Sequence, residues 1–157
     1  MNNAFKNILS LASVLCLGFA ILRMPSEVVC FDMKENHICL RVLRAHEDQL
    51  RGFQLVEHIR PSEGLLYILG HEKKPNFWMK DVLQNLDIIF VDKDGCIVEM
   101  IQAKSHRKDV IVPPSETMYA IELLEGTASK LNLSKGGKIG ADIFPDFEGM
   151  LLIGKCN

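Results

Sequence analysis

The residues most able to do chemistry in this chain stand in one short block, Phe77-Trp78-Met79-Lys80-Asp81. Read as a strand, the block sends alternate side chains to opposite faces. Phe77, Met79 and Asp81 then share one face, and Trp78 and Lys80 the other. An indole is a flat stacking platform and an ammonium carries three donors, a pair that suits a sugar or a small anion. Asp87 is placed to orient Lys80 by pairing, or to cap the turn at Asn85. Arg51 stands near the end of an expected helix, where its planar fork suits a carboxylate ligand and its charge suits the helix dipole. Each residue also has a plain structural role. Trp78 can pack under a neighbouring loop with the Lys80 stem across it.

Other chemistries find less support. The histidines His37, His46, His58, His71 and His106 are scattered, and no cysteines form a close Cys-x-x-Cys pair, so no metal site is expected. Asp92-Lys93-Asp94-Gly95 is superficially like a calcium loop. Ile97 and Ala103 stand where an EF-hand needs Gly and Glu, and a hairpin turn accounts for the four residues. There is no Gly-x-Ser-x-Gly elbow, no catalytic-cysteine context and no phosphate-binding loop. No catalytic set and no cofactor are therefore expected. Lys104, His106, Arg107 and Lys108 make a small basic cluster on a long loop, suited to an acidic partner or a lipid headgroup.

Four cysteines follow residue 24: Cys30, Cys39, Cys96 and Cys156. They allow three pairings. A hairpin turning at Lys34-Glu35 would set Cys30 opposite Cys39, close enough to bridge; two buried free thiols are the alternative.

The elements that must position these residues are short. Strands are expected over Val28 to Met33, Ile38 to Ala45, Gly64 to Leu69, Phe77 to Lys80, Leu86 to Val91, Cys96 to Ala103, Tyr119 to Leu124 and Lys138 to Ile143. One more is expected at Met150 to Ile153. Short helices are expected over His46 to Phe53, with Leu50 and Phe53 on one face, and over Thr127 to Leu131, with Thr127 as N-cap. Lys104 to Met118 reads as a loop. No alternating strand–helix rhythm appears. The fold expected is mainly β (α+β): a small closed or partly open β-barrel with one or two short helices.

The 157 residues suit one such domain, over 25–157, after a distinct N-terminus at 1–24. Ile8 to Leu22 is fifteen residues without a charge, bounded by Lys6 and Arg23. That length suits the core of a secretory signal cleaved after Ala20. The alternative is an uncleaved membrane anchor through Ile8 to Leu22. Leu15 before Cys16 argues against a lipoprotein. The expected location is therefore periplasmic, or on the outer face of the inner membrane. The net charge of −2 gives no case for nucleic acid.

Leu50-Arg51-Gly52, Gly64-Leu65-Leu66-Tyr67, Phe77 to Asp81, Leu86-Asp87-Ile88-Ile89-Phe90, Asp94-Gly95 and Tyr119-Ala120-Ile121-Glu122-Leu123 come in that order. In this order the chain resembles the uncharacterised family numbered 192 among the domains of unknown function, over about Ile38 to Ile143. The resemblance implies a single β-rich domain, often exported, and no established activity. The chain departs from the family pattern at Phe53-Gln54 for Leu-Met, Asp81 for Asn, Asn85 for Pro, and Lys138 for Asp. Function is expected to be non-catalytic binding of a small or glycan-like envelope ligand. The alternatives are an envelope enzyme using Lys80 with Asp81 or Asp87, and a protein-interaction module.

Overall fold

The structure, a computed structural model, describes residues 27–33, 35–140 and 156. The expected signal or anchor, Cys16, Lys34 of the first turn and the strand at Met150 to Ile153 lie outside the described residues. Among the described residues no helix is long and apolar enough to cross a membrane.

Six strands form one mixed sheet: β1 (Val28–Met33), β2 (Asn36–Leu43), β3 (Glu63–Lys73), β4 (Leu86–Val91), β5 (Ile97–Ala103) and β6 (Thr117–Leu124). Their spatial order is β1-β2-β3-β6-β4-β5. Among the described residues no further strand lies outside β1 or β5, where only the Gly136-Gly137 segment pairs with Ile97, so the sheet is a partly open barrel and not a closed one. All neighbours are antiparallel except β2 and β3. A parallel pair needs a long crossover. Residues 44–62 supply it, with helix α1 (His46–Arg51) near its start. α2 (Thr127–Lys130) follows β6.

Both faces of the sheet are covered. β4 is buried along its whole length, as its continuous apolar run requires. One face packs Leu40, Leu66, Ile89, Ile121 and Leu123 against Ala128 and Leu131 of the α2 region. The other packs Leu65, Tyr67, Ile88, Phe90 and Ala120 against Phe53, Phe77, Met79 and Ile111 from the connecting segments. The latter face carries the site.

Several elements differ from expectation. Phe77 to Lys80 is not a strand. Phe77 makes one antiparallel bridge, to Ile111, and the chain turns at Lys80. The alternation holds as far as Lys80, because Phe77 and Met79 are core and Trp78 and Lys80 face out. Asp81 does not share the face of Phe77 and Met79: the turn leaves it exposed beside Trp78 and Lys80. At Lys138 a bridge to Cys96 replaces the start of a strand; 141–143 lie outside the described residues. α1 buries none of its own residues, and Leu50 is exposed. One and a half turns cannot hold a core face when the chain leaves at Gly52. Thr127 is not the N-cap of α2: Gly126 is, with a left-handed backbone and no side-chain cap.

Candidate functional site

Between α1, β3, β6 and the Phe77 segment lies a cavity of about 310 Å³. Its size falls at the lower end of ligand cavities, which run from about 300 to 1,000 Å³. The packing that shapes it is aromatic. Tyr67 meets Phe77 edge-on at 4.9 Å, and Phe77 meets Phe90 edge-on at 5.4 Å. α1 is pinned over it by the Gln49 amide, which donates to the Leu43 carbonyl at 3.0 Å and to the Ile68 carbonyl at 2.7 Å.

Glu122 stands at the base. It faces inward from the middle of β6 and is 4% exposed. The Tyr67 hydroxyl donates to its Oε2 at 2.8 Å. Burial penalises the carboxylate, so the Glu122 carboxyl is raised from 4.5 to about 7; the Tyr67 hydrogen bond opposes this only in part. Tyr67 is itself raised well above 10, first by burial and then by the negative charge of Glu122. Both groups are thus held toward their protonated forms.

Gly52 explains the Arg-Gly pair. A Cβ there would lie 2.5 Å from the Tyr67 hydroxyl and 3.5 Å from Glu122 Oε2, and its φ of +49° is unfavourable to a side chain. The backbone therefore passes directly over the Tyr67–Glu122 pair. Arg51 lies exposed on the cavity lining, with Lys73 as a further cation and the His46 imidazole beside them.

Trp78 is 43% exposed and lines both this cavity and an open depression of about 390 Å³. Lys80, Asp81, His106, Arg107 and Lys108 line the depression with it. The structure thus brings Trp78 and Lys80 together, and adds the basic loop to them. Three loops are knitted there through their backbones. Leu55 N–H donates to the Asp81 carbonyl at 2.9 Å, and His106 N–H to the Val82 carbonyl at 3.3 Å. Leu55, Asp81 and His106 all have positive φ, at 59°, 57° and 55°. Asp tolerates that conformation better than most residues, so Asp81 suits the backbone it occupies.

Asp87 does not join this group. It faces the opposite side of the sheet, 4% exposed, and its Oδ2 accepts from the Ala128 N–H at 3.0 Å. It neither orients Lys80 nor caps the turn at Asn85. Instead it caps α2 from a neighbouring strand. Asn85 acts through its own amide, accepting from Ser105 N–H at 2.8 Å and donating to Glu125 at 3.0 Å.

The first hairpin places Cys30 opposite Cys39, and the two are joined as a disulfide; a second joins Cys96 to Cys156. Among the described residues, Cys30, His37 and Cys39 are the group whose ligand atoms converge within 4.8 Å. With the sulfurs bonded to each other neither can be a thiolate, the form that ligates metals, so His37 is the one strong ligand of the three.

A family model described as "Uncharacterized ACR" (DUF192) matches residues 28–141. No curated protein matches the chain. Two solved structures share the fold. One, from Sinorhizobium meliloti 1021 and described as a "putative transcription regulator", is 23% identical with a TM-score of 0.65. That match covers 73% of this chain and 92% of the other. The second, a protein of unknown function from Novosphingobium aromaticivorans DSM 12444, is 20% identical with a TM-score of 0.64. It covers 76% of this chain and 87% of its own.

Proposed function

This chain belongs to the DUF192 family, and from that premise we propose that it is an exported envelope domain whose cavity binds a small, hydroxyl-rich, glycan-like ligand. The observation that carries the reading is the Tyr67–Glu122 pair at the base of the cavity. A protonated carboxyl that accepts from Tyr67 still has its own hydrogen to donate. It can therefore both give and take hydrogen bonds with a neutral hydroxyl, whereas an ionised one can only accept. Aromatic and aliphatic walls (Phe53, Phe77, Leu69) suit the apolar faces of a sugar ring, and Trp78 offers a stacking surface at the rim. Much of the family-like sequence meets here: Leu50, Arg51, Gly52, Tyr67, Phe77, Trp78 and Glu122 all line the cavity. The two disulfides suit an oxidising compartment, which supports export.

Trp78 is the sole tryptophan, so its emission reports on the rim. Titration with mono- and oligosaccharides is expected to give a saturable change. Glu122→Gln should keep part of the affinity, because an amide still donates, and Glu122→Ala should lose at least about tenfold. Absence of any saturable response across the panel would overturn the reading.

The enzyme alternative loses Asp87 as a partner of Lys80, while Lys80 and Asp81 stay together in the depression without the burial that an acid–base lysine needs. Lys80 is exposed, and Asp87 lies across the sheet. Docking on a protein partner has one specific observation in its favour: Leu55, bonded through its backbone to Asp81, and Val110 and Val112, which flank the Ile111 that pairs with Phe77, are exposed along with Trp78, Leu55 at 74%. Under that reading Val110→Lys with Val112→Lys would abolish partner binding and leave the sugar titration unchanged.

A further inference from the structure

The first hairpin holds a set of groups that ligand binding in the cavity does not use. The β1–β2 register sets Asp32 opposite His37 and Cys30 opposite Cys39. At these alternate positions all four side chains share one face. His37 Nδ1 lies 2.7 Å from Asp32 Oδ1, and His37 Nε2 lies 3.5 Å from Cys39 Sγ. A carboxylate only accepts, so Nδ1 carries a proton and Nε2 is the nitrogen turned to the sulfur. The same order, an acid that orients a histidine that faces a sulfur, activates cysteine thiols elsewhere in chemistry. Cys30, Asp32 and His37 are exposed and Cys39 is half-buried, so a reactant can reach the bond from the Cys30 side. β1 is an edge strand, open to an extended partner backbone.

We propose that Cys30–Cys39 is an exchangeable disulfide, with His37 as the group that stabilises the leaving sulfur, Asp32 as its positioning residue, and a dithiol as co-reactant. A thiolate of the dithiol attacks Cys30 Sγ. A bond forms between those two sulfurs as the Cys30–Cys39 bond breaks, and its electron pair departs on Cys39 Sγ. His37, protonated on both nitrogens, donates through Nε2 to that sulfur. The second thiol of the dithiol then attacks the mixed disulfide and releases Cys30. The dithiol is oxidised to a disulfide, and the hairpin takes up two electrons and two protons as a pair of thiols. A lower leaving-group basicity speeds this exchange. Three further charged residues bear on the site. Glu63 of β3 pairs in register with Cys39 and has Arg60 as its ion-pair partner, and Arg41 is the next residue on the same face of β2.

The test uses the full chain. Timed reduction by dithiothreitol between pH 6 and 9 is followed by alkylation and peptide mass, so that each cysteine is read separately. Cys96–Cys156 is the internal reference. Cys30–Cys39 is expected to open at least about tenfold faster than the reference. His37→Ala should slow that opening about tenfold and move half-maximal alkylation of reduced Cys39 to higher pH. Asp32→Asn should move both in the same direction by less. Because His37 and Asp32 are exposed, neither change removes core. Equal opening of the two disulfides would overturn the proposal, as would a His37→Ala variant with unchanged rate and pH profile.

Discussion

Glu122 is the residue on which the cavity's chemistry turns, and it sits in a run, Tyr119 to Leu124, that is otherwise apolar apart from the tyrosine hydroxyl. A lone acid inside a buried strand must find a partner or a proton, because an isolated buried carboxylate is costly. Glu122 has both, the Tyr67 hydroxyl and a carboxyl raised to about 7. The pH consequence follows by linkage. The folded protein holds this proton more tightly than the unfolded chain, whose glutamate titrates near 4.5. The associated stability is present in full below pH 4.5, is lost as pH rises through 7, and is constant above it. The loss amounts to about 3 kcal/mol. Urea unfolding between pH 4 and 9 should show this decline, and Glu122→Gln should flatten it. In the sequence Glu122 is legible as one acid inside an apolar run, but the partner that makes it a site, Tyr67, lies 55 residues away.

At the level of elements, the connecting segments and caps depend on contacts distant in sequence. Phe77 is held by Ile111 across a two-way backbone pair, at 2.9 and 2.8 Å, and not by a neighbouring sheet strand. α2 has no side-chain cap of its own, and Asp87 of β4 supplies one. Asp87→Ala should therefore destabilise the protein by about 1–2 kcal/mol, read as a lower urea midpoint with unchanged slope. Leu86-Asp87-Ile88-Ile89-Phe90 was legible as a strand. The direction of Asp87 followed from alternation once Ile88 was assigned to the cavity side. What it would meet there was not legible, because α2 is 40 residues further along the chain.

For the whole molecule, a disulfide ties the chain at each end of the sheet order. Cys30–Cys39 spans 9 residues within the β1–β2 hairpin, and Cys96–Cys156 spans 60, from the start of the β5 region to the chain's end. Loop-closure entropy makes the longer link the stronger, about 4 kcal/mol against about 2.5 kcal/mol. Replacing Cys96 and Cys156 by Ser should lower the unfolding midpoint more than replacing Cys30 and Cys39. Differential scanning calorimetry of the two double variants checks the order. The same contrast suits the first hairpin to redox exchange, since its opening leaves the larger architecture tied.

Period-two alternation, continuous apolar runs and turn residues were enough to determine from sequence that the chain is mainly β and where most strands lie. These are local properties: a strand's burial and an Asp-Gly turn with Gly95 at a φ of +81° are encoded within a few residues. Tertiary structure alone decided the parallel β2–β3 pair, the capping role of Asp87 and the assembly of Leu50, Gly52, Tyr67, Trp78 and Glu122 around one cavity. Those contacts join residues tens of positions apart. Their selection depends on how all six strands pack at once, which no local pattern records.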